Sequence, residues 1–152
     1  MFTETVKERL AIMDVLNNAA VNNTTAITLG IDMSKVKRAA YLVTFTSSVA
    51  GTGTLDGRLQ GSFNSNFTGN TNITGTNLTQ MTTNGTLQTV EIRSDQLVQI
   101  NSTYRYVRLH LTGAVNSVTL GVIGFGTDSE QSPASQYNLN TTFVVAGVVC
   151  NI

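Results

Sequence analysis

From residue 26 onward, short stretches of alternating apolar and polar residues are separated by Gly, Asn, Asp and Ser. In one of them, Val107, Leu109 and Leu111 alternate with Arg108 and His110. Consecutive side chains of a β-strand point to opposite faces of its sheet, so this alternation predicts half-buried antiparallel strands. The predicted strands are residues 26–33, 40–47, 54–62, 87–93, 104–112, 118–125 and 142–149.

The polar residues in these patterns are mostly uncharged. The chain of 152 residues contains 24 Thr, 15 Asn and 11 Ser. Asp, Glu, Lys and Arg together make up only 12%, against roughly 25% in an ordinary soluble domain. Thr favours strands, and Asn, Ser and Gly favour the turns between them, so the composition also predicts an all-β protein. A surface with so few charges is typical of a protein that packs against its own copies or a larger assembly.

The predicted fold is a single antiparallel β-sandwich, because a chain of this length suits one domain. Residues 118–125 and 142–149 are apolar on both faces, as expected at the centre of a sandwich or at a subunit interface. About seven or eight short strands favour jelly-roll connectivity over an immunoglobulin-like one, since the Cys and Trp pattern of immunoglobulin domains is missing. Residues 61–86, rich in Asn, Thr and Gly, are expected to form a long exposed excursion with one short strand around residues 77–81.

Residues 1–23 differ from the predicted sandwich domain, residues 24–152. Their apolar residues recur near helical spacing, with charged residues between them: Val6, Leu10, Met13 and Leu16. The pattern is compatible with a short amphipathic helix and equally with an extended arm that docks on a neighbouring subunit. In either case, these four residues are the predicted partner-binding residues.

The sequence predicts no catalytic, cofactor-binding or metal-binding residue. His110 is the only histidine and lies beside Arg108 on the polar face of its strand, and Cys150 is the only cysteine. A catalytic triad, a zinc site or an intramolecular disulfide needs partners that these residues lack. Asp128 and Glu130 are too isolated for a calcium site. We therefore expect that the protein is not an enzyme and needs no cofactor.

The charge balance and hydropathy also limit the expected partners. Nine basic and nine acidic residues cancel, which removes the positive charge typical of a surface that grips nucleic acid. The sequence has no run of about 18 apolar residues, and its first residues lack the features of a secretory signal. We expect neither nucleic acid nor a membrane among the partners.

Several short patches follow one another in an order similar to that of small head proteins of tailed bacteriophages: residues 31–35, 40–43, 59–62, 90–97 and 104–109. Over residues 32–138 the chain resembles the jelly-roll decoration, or cement, proteins of that class. The resemblance implies a virion structural protein on the capsid exterior, assembled in the host cytoplasm. It also implies a homotrimer that binds the major capsid protein across neighbouring subunits and stabilises the shell.

Other functions are compatible with the same sequence. A tail-tube, connector or fibre protein of the same virus class is one alternative, because tube proteins also form rings of β-sandwiches. A carbohydrate- or cell-surface-binding module is another. It is less favoured because aromatic side chains usually carry sugar binding, and the chain has no Trp and four Tyr.

Overall fold

The computed structural model of the chain describes residues 9–48 and 52–129, which form two antiparallel β-sheets. The strands are β1 (Leu10–Val21), β2 (Thr25–Ile27), β3 (Ile31–Asp32), β4 (Val36–Ser48), β5 (Thr54–Ser62), β6 (Thr71–Asn72), β7 (Thr86–Arg93), β8 (Tyr106–Ala114) and β9 (Val118–Ser129), and helix α1 (Ser94–Ile100) connects β7 to β8. Sheet A has the strand order β1-β9-β4-β7. Sheet B has the order β2-β8-β5-β6, and β3 also pairs with β8. The predicted all-β sandwich is confirmed.

The strand pairing is nested, as in a jelly roll. β2 and β3 act as one interrupted strand, because Ile27 lies opposite His110 and Ile31 lies opposite Val107 on the same strand β8. With that strand counted once, the first strand pairs with the last, the second with the second last, β4 with β7, and β5 with β6. This nesting produces the two Greek keys of jelly-roll connectivity.

The period-two pattern located most strands close to their true bounds. It predicted β5 at residues 54–62, where the strand begins and ends, and it found β4, β7, β8 and β9 with small shifts at their ends. The strand predicted at residues 26–33 is interrupted, because the amide groups of Leu29 and Gly30 bind Asp14 instead of a neighbouring strand. Residues 142–149 lie outside the described residues.

The excursion between β5 and β7 is less exposed than its composition predicts. Its apolar side chains Ile73, Leu78 and Met81 are buried. The amide nitrogens of Ile73 and Leu78 donate to carbonyl oxygens of β5, and Met81 forms an isolated bridge with Leu55. The short strand predicted around residues 77–81 is therefore wrong, since the regular pairing lies at β6. Backbone groups at an open sheet edge can pair with other chains. The excursion covers the β5 edge of sheet B with hydrogen bonds from the same chain.

The first described residues belong to sheet A. Residues 10–21 form β1, at the edge of the sheet, and pair with β9 of the same chain. The helical alternative is wrong for residues 10–21, because they form a strand. Two β-bulges in β1 shift its inward-facing positions, so the spacing of its apolar residues resembles that of a helix. Residues 10–21 are extended, as the hypothesis of an extended arm predicts, but they pair with β9 of their own chain. Residues 1–8, and with them Val6, lie outside the described residues.

The hydrophobic core lies between the two sheets. Its fully buried side chains include Tyr41 and Phe45 of sheet A and Leu59 and Leu109 of sheet B. Each large apolar side chain contributes about 1.5–3 kcal/mol when it is fully buried. Gly124 of β9 allows close packing here, because a Cβ atom at that position would lie 2.8 Å from Cε1 of Tyr41.

A buried polar cluster joins the sheets. Asp14 of β1 has no exposed surface, and its carboxylate accepts hydrogen bonds from the amide nitrogens of Leu29 at 3.1 Å and Gly30 at 2.7 Å. The Tyr41 hydroxyl lies 3.3 Å from Oδ2 of Asp14 and 2.9 Å from the carbonyl oxygen of Val107 in sheet B. Burial, together with the charge of Asp14, raises the pKa of Tyr41 well above its usual value. The cluster therefore fixes β1 and β4 against β8.

Candidate functional site

Part of the outer face of sheet A is apolar, although a sheet face in contact with water usually carries polar residues. Val15 lies opposite Ile123, and Ile123 lies opposite Leu42, so three apolar side chains form one row across β1, β9 and β4. In the neighbouring row, Ile12 lies opposite Phe125. These five residues are called the apolar face below.

A groove of about 290 Å³ runs through the apolar face. Leu16 and Thr44 line it beside the residues of the apolar face, and none of its described lining residues is charged. Gly121 lies opposite Thr44 and has no side chain to fill the groove. Ile123 remains 38% exposed at its centre, and Leu87 of β7, on the other side of Thr44, is 57% exposed. A contiguous apolar surface of this kind is a candidate site of protein interaction.

The four predicted partner-binding residues have different positions in the structure. Leu16 lines the groove, and Leu10 is half-buried at the start of β1. Met13 faces the core, where its sulfur lies beside Gly126, so the structure does not place this side chain on the outer face. Val6 lies outside the described residues. For Leu10 and Leu16, partner binding stays a prediction.

Other residues of the apolar face were not predicted individually. The sequence contains a signal for Ile123 and Phe125, namely that residues 118–125 are apolar on both faces. This pattern predicted a strand at the sandwich centre or at a subunit interface. β9 is a central strand of sheet A, and its outward side chains Ile123 and Phe125 belong to the apolar face. The signal for Leu42 was weaker: it is an apolar residue at an outward position of a strand that otherwise alternates.

The outer face of sheet B is polar and holds a second concave region of about 450 Å³. Its lining residues include Asp56, Arg58, Asn77, His110 and Thr112. Burial, with the positive charges of Arg58 and the nearby Arg108, lowers the pKa of His110 below its usual value. The imidazole is thus held in its neutral form near pH 7.

Arg105, which precedes β8, and Asp32, at the end of β3, form an ion pair. Arg105 donates from two nitrogens to the two carboxylate oxygens of Asp32, at 2.8 and 2.7 Å. Burial opposes ionisation of Asp32, but hydrogen bonds from Arg105 and Ser34 outweigh it and lower the pKa of Asp32 to about 2. Over residues 9–48 and 52–129, no three His, Cys, Asp or Glu side chains are grouped so that they could hold a metal ion. Within the same residues, no helix has the length and hydropathy needed to span a membrane.

Comparison with known proteins shows similarity in structure but not in sequence. No protein-family model matches the chain, and no curated protein is significantly similar to it. The PBSX exported protein XepA is similar over 85% of this chain and 40% of its own, with a TM-score of 0.51 and 16% identity. This chain therefore spans about two fifths of the length of XepA. At this identity the similarity shows a shared fold.

Two further solved structures align at lower TM-scores. A chain from Bacillus endospore appendages, described as disulfide-linked pili, aligns over 84% of this chain and 97% of its own, with 14% identity and a TM-score of 0.39. A chain from infectious bursal disease virus, Gt strain, aligns over 87% of this chain and 34% of its own, with 12% identity and a TM-score of 0.46.

Proposed function

We propose that the protein is a virion structural protein that decorates the exterior of a bacteriophage capsid. In this proposal it forms a homotrimer, binds the major capsid protein across neighbouring subunits and catalyses no reaction. The observation that carries the proposal is the apolar face, which lies on the outside of a chain with only 12% charged residues. The order of sequence patches that resembles phage decoration proteins supports the choice of a capsid as the partner.

The apolar face supports association with another protein surface. Burial of apolar area contributes about 25 cal/mol per Å². Because none of the described lining residues of the groove is charged, a partner can fill it without removing water from an ion. The same surface in an isolated monomer would leave Ile123 and Leu87 in contact with water.

A trimer with a threefold axis requires two different surfaces of each subunit to meet. Sheet A offers two such surfaces side by side on its outer face. The groove lies across β1, β9 and β4, and Leu87 is exposed beside it on β7. In the proposed ring, Leu87 of one subunit packs against the groove of the next.

The proposed mechanism is stabilisation through binding. A protein that binds assembled shell and not free capsid subunits shifts the equilibrium toward the intact shell by mass action. A trimer that contacts several subunits at once also gains affinity through multivalency. Both effects depend on surface complementarity and need no reacting group.

The substitution Ile123→Lys tests the proposal. It places a charge at the centre of the apolar face, and the long lysine stem keeps the strand compatible with its neighbours. We expect the dissociation constant of the trimer to rise at least about tenfold, as at interface hot spots. Sedimentation velocity measures the trimer, and co-sedimentation with expanded phage shells measures binding to the capsid.

The matched control is Ile100→Lys, because Ile100 is 47% exposed in the last turn of α1, where a positive charge is favourable, and it does not line the groove. The control is expected to form trimers and bind shells as the wild type does. Equal trimer formation and shell binding by wild type and Ile123→Lys would overturn the proposal. Rings or tubes of purified protein in negative-stain images would instead assign it to the tail.

A further inference from the structure

The concave region on sheet B lies toward one end of the pair formed by β5 and β8. His110 of β8 lies opposite Arg58 of β5, and Thr112 lies opposite Asp56, so these four side chains form two adjacent rows of the outer face. Asn77, from the excursion, stands beside them. These five residues are called the sheet B cleft below.

The other end of the same face is closed by the excursion. The ring of Phe67 packs over Gly30, where a Cβ atom would lie 2.5 Å from its Cε2 atom. The guanidinium of Arg108 lies over the same ring, 4.5 Å from its centre, and its Nε donates to Gln60 Oε1 at 2.9 Å. Arg108 is therefore occupied by neighbours, and the accessible positive charge lies at the Arg58 end.

The sheet B cleft contains two charged side chains, Arg58 and Asp56, and Arg58 is the more exposed of the two. The side chain of Arg58 makes no hydrogen bond or ion pair with any residue that the structure describes, and it is exposed. Asp56 carries the only carboxylate among the described residues that line the cleft, and it accepts hydrogen bonds from Nε2 of Gln80 at 3.0 and 3.3 Å. Residues 59–90, which include the excursion, contain no charged residue, and β2 contains none.

We propose that the sheet B cleft binds a carboxylate group carried by an acidic side chain of a partner protein. Arg58 supplies a planar guanidinium that matches the two oxygens of a carboxylate. His110, directly opposite Arg58 across the two strands, supplies a ring N–H, and Asn77 and Thr112 supply neutral donors. The cleft fits an acidic side chain better than a sugar, because none of its described lining residues has an aromatic ring other than the imidazole of His110.

Binding of a carboxylate is coupled to the protonation of His110. Arg58, Arg108 and Asp56 are the charged groups of β5 and β8 that face this imidazole, and the two arginines favour its neutral form. A bound carboxylate offsets these positive charges, so the pKa of His110 is higher in the complex than in the free protein. By linkage, affinity rises as the pH falls through the pKa of the complex and levels off below the pKa of the free protein.

The inference concerns sheet B alone and holds whether or not sheet A forms an oligomer. The two outer faces lie on opposite sides of the sandwich, so an assembly through the apolar face leaves the sheet B cleft free. In the proposed decoration protein, the acidic partner is a surface of the capsid shell.

The experiment follows the single imidazole of the full-length protein by NMR during titration with a short peptide rich in Asp and Glu. We expect the pKa of His110 to rise by about half a unit or more, which corresponds to about threefold tighter binding at low pH. Arg58→Gln should weaken peptide binding at least about fivefold. The matched control, Lys37→Gln, removes an exposed positive charge from sheet A and should bind the peptide as the wild type does.

A second peptide and a sugar acid separate the possible sources of the carboxylate. The same peptide with Asn and Gln in place of its acidic residues should not bind, and glucuronate should bind more weakly than the acidic peptide. An unchanged pKa of His110, or equal loss of affinity in Arg58→Gln and Lys37→Gln, would overturn the inference. Tighter binding of glucuronate than of the acidic peptide would overturn the assignment to a protein partner.

Discussion

Oδ2 of Asp14 in sheet A lies 2.7 Å from the amide nitrogen of Gly30, in the break between β2 and β3 of sheet B. Gly30 has a φ of +107°, a conformation that other residues rarely adopt. The interruption of this strand therefore has a physical reason: it directs two backbone N–H groups at a carboxylate that has no contact with water.

Asp14→Asn tests the contribution of this contact to stability. The asparagine side chain has one acceptor oxygen and one NH2 donor. One of the two backbone N–H groups would therefore face this NH2 group and lose its hydrogen bond. We expect a loss of about 2 kcal/mol in the free energy of unfolding, measured by urea denaturation. The control Asp128→Asn changes an exposed residue at a φ of +52°, which asparagine tolerates, and should leave stability unchanged. Equal stability of Asp14→Asn and wild type would contradict this role of the carboxylate.

Tyr41→Phe should alter the stability of the protein at alkaline pH. The pKa of Tyr41 is raised in the folded protein, so its contribution is complete below the unfolded pKa of about 10 and is lost as the pH rises above it. Above about pH 10, this effect should lower the free energy of unfolding of the wild type by about 1.4 kcal/mol per pH unit. The variant should lack this decrease. At pH 7 it should be about 1–2 kcal/mol less stable, because the Val107 carbonyl loses its partner. Urea unfolding from pH 7 to pH 11 measures both, and identical alkaline slopes would refute the prediction.

Asp32→Asn should alter stability in acid. The pKa of Asp32 is lowered to about 2, so its contribution is present above the unfolded pKa of about 4 and is lost as the pH falls toward 2. We expect the urea midpoint of the wild type to decrease more between pH 4 and pH 2 than that of the variant. Asp95→Asn, which removes an exposed partner of Arg93, should retain the wild-type decrease. The prediction fails if both variants show the same pH dependence.

Gly124→Ala should destabilise the contact between β9 and the polar cluster. The added Cβ atom would lie 2.7 Å from Cβ of Asp14 and 2.8 Å from Cε1 of Tyr41, and both atoms belong to buried side chains. We expect a loss of about 2 kcal/mol, as for overpacked cores. Gly121→Ala, in the same strand but facing outward, meets Oγ1 of Thr44 at 3.0 Å and the carbonyl oxygen of Leu16 at 3.9 Å, and should cost less. Thermal unfolding compares the two, and a larger loss in Gly121→Ala would contradict the packing described for the core.

The alternation of apolar and polar residues in the sequence predicted those strands whose side chains alternate regularly between the core and the outer face. β8 is one example, because Val107, Leu109 and Leu111 face the core and the residues between them face outward. The pattern failed at β1, where bulges change the period, and at residues 28–30, where a contact with Asp14 replaces strand pairing. Both failures arise from tertiary contacts between residues distant in sequence, which a local window does not contain.

The two candidate sites depend on strand register in the same way. Leu42 and Ile123 become neighbours only when β4 pairs with β9, and Arg58 meets His110 only when β5 pairs with β8. The sequence could show that residues 118–125 are apolar on both faces and that His110 lies on a polar strand face. It could not show which residues of distant strands lie beside them.

The nested pairing of strands has a consequence for how the protein forms. β9 is the last strand of the jelly roll, yet it occupies a central place in sheet A, where it separates β1 from β4. Leu10, at the start of β1, has Thr127 as its partner, so this pairing must await synthesis of nearly all the described chain. Sheet A thus stays divided until β9 inserts, and such long-range closure makes folding slow. A ribosome that stalls before residue 118 would release a product with two unjoined halves of one sheet.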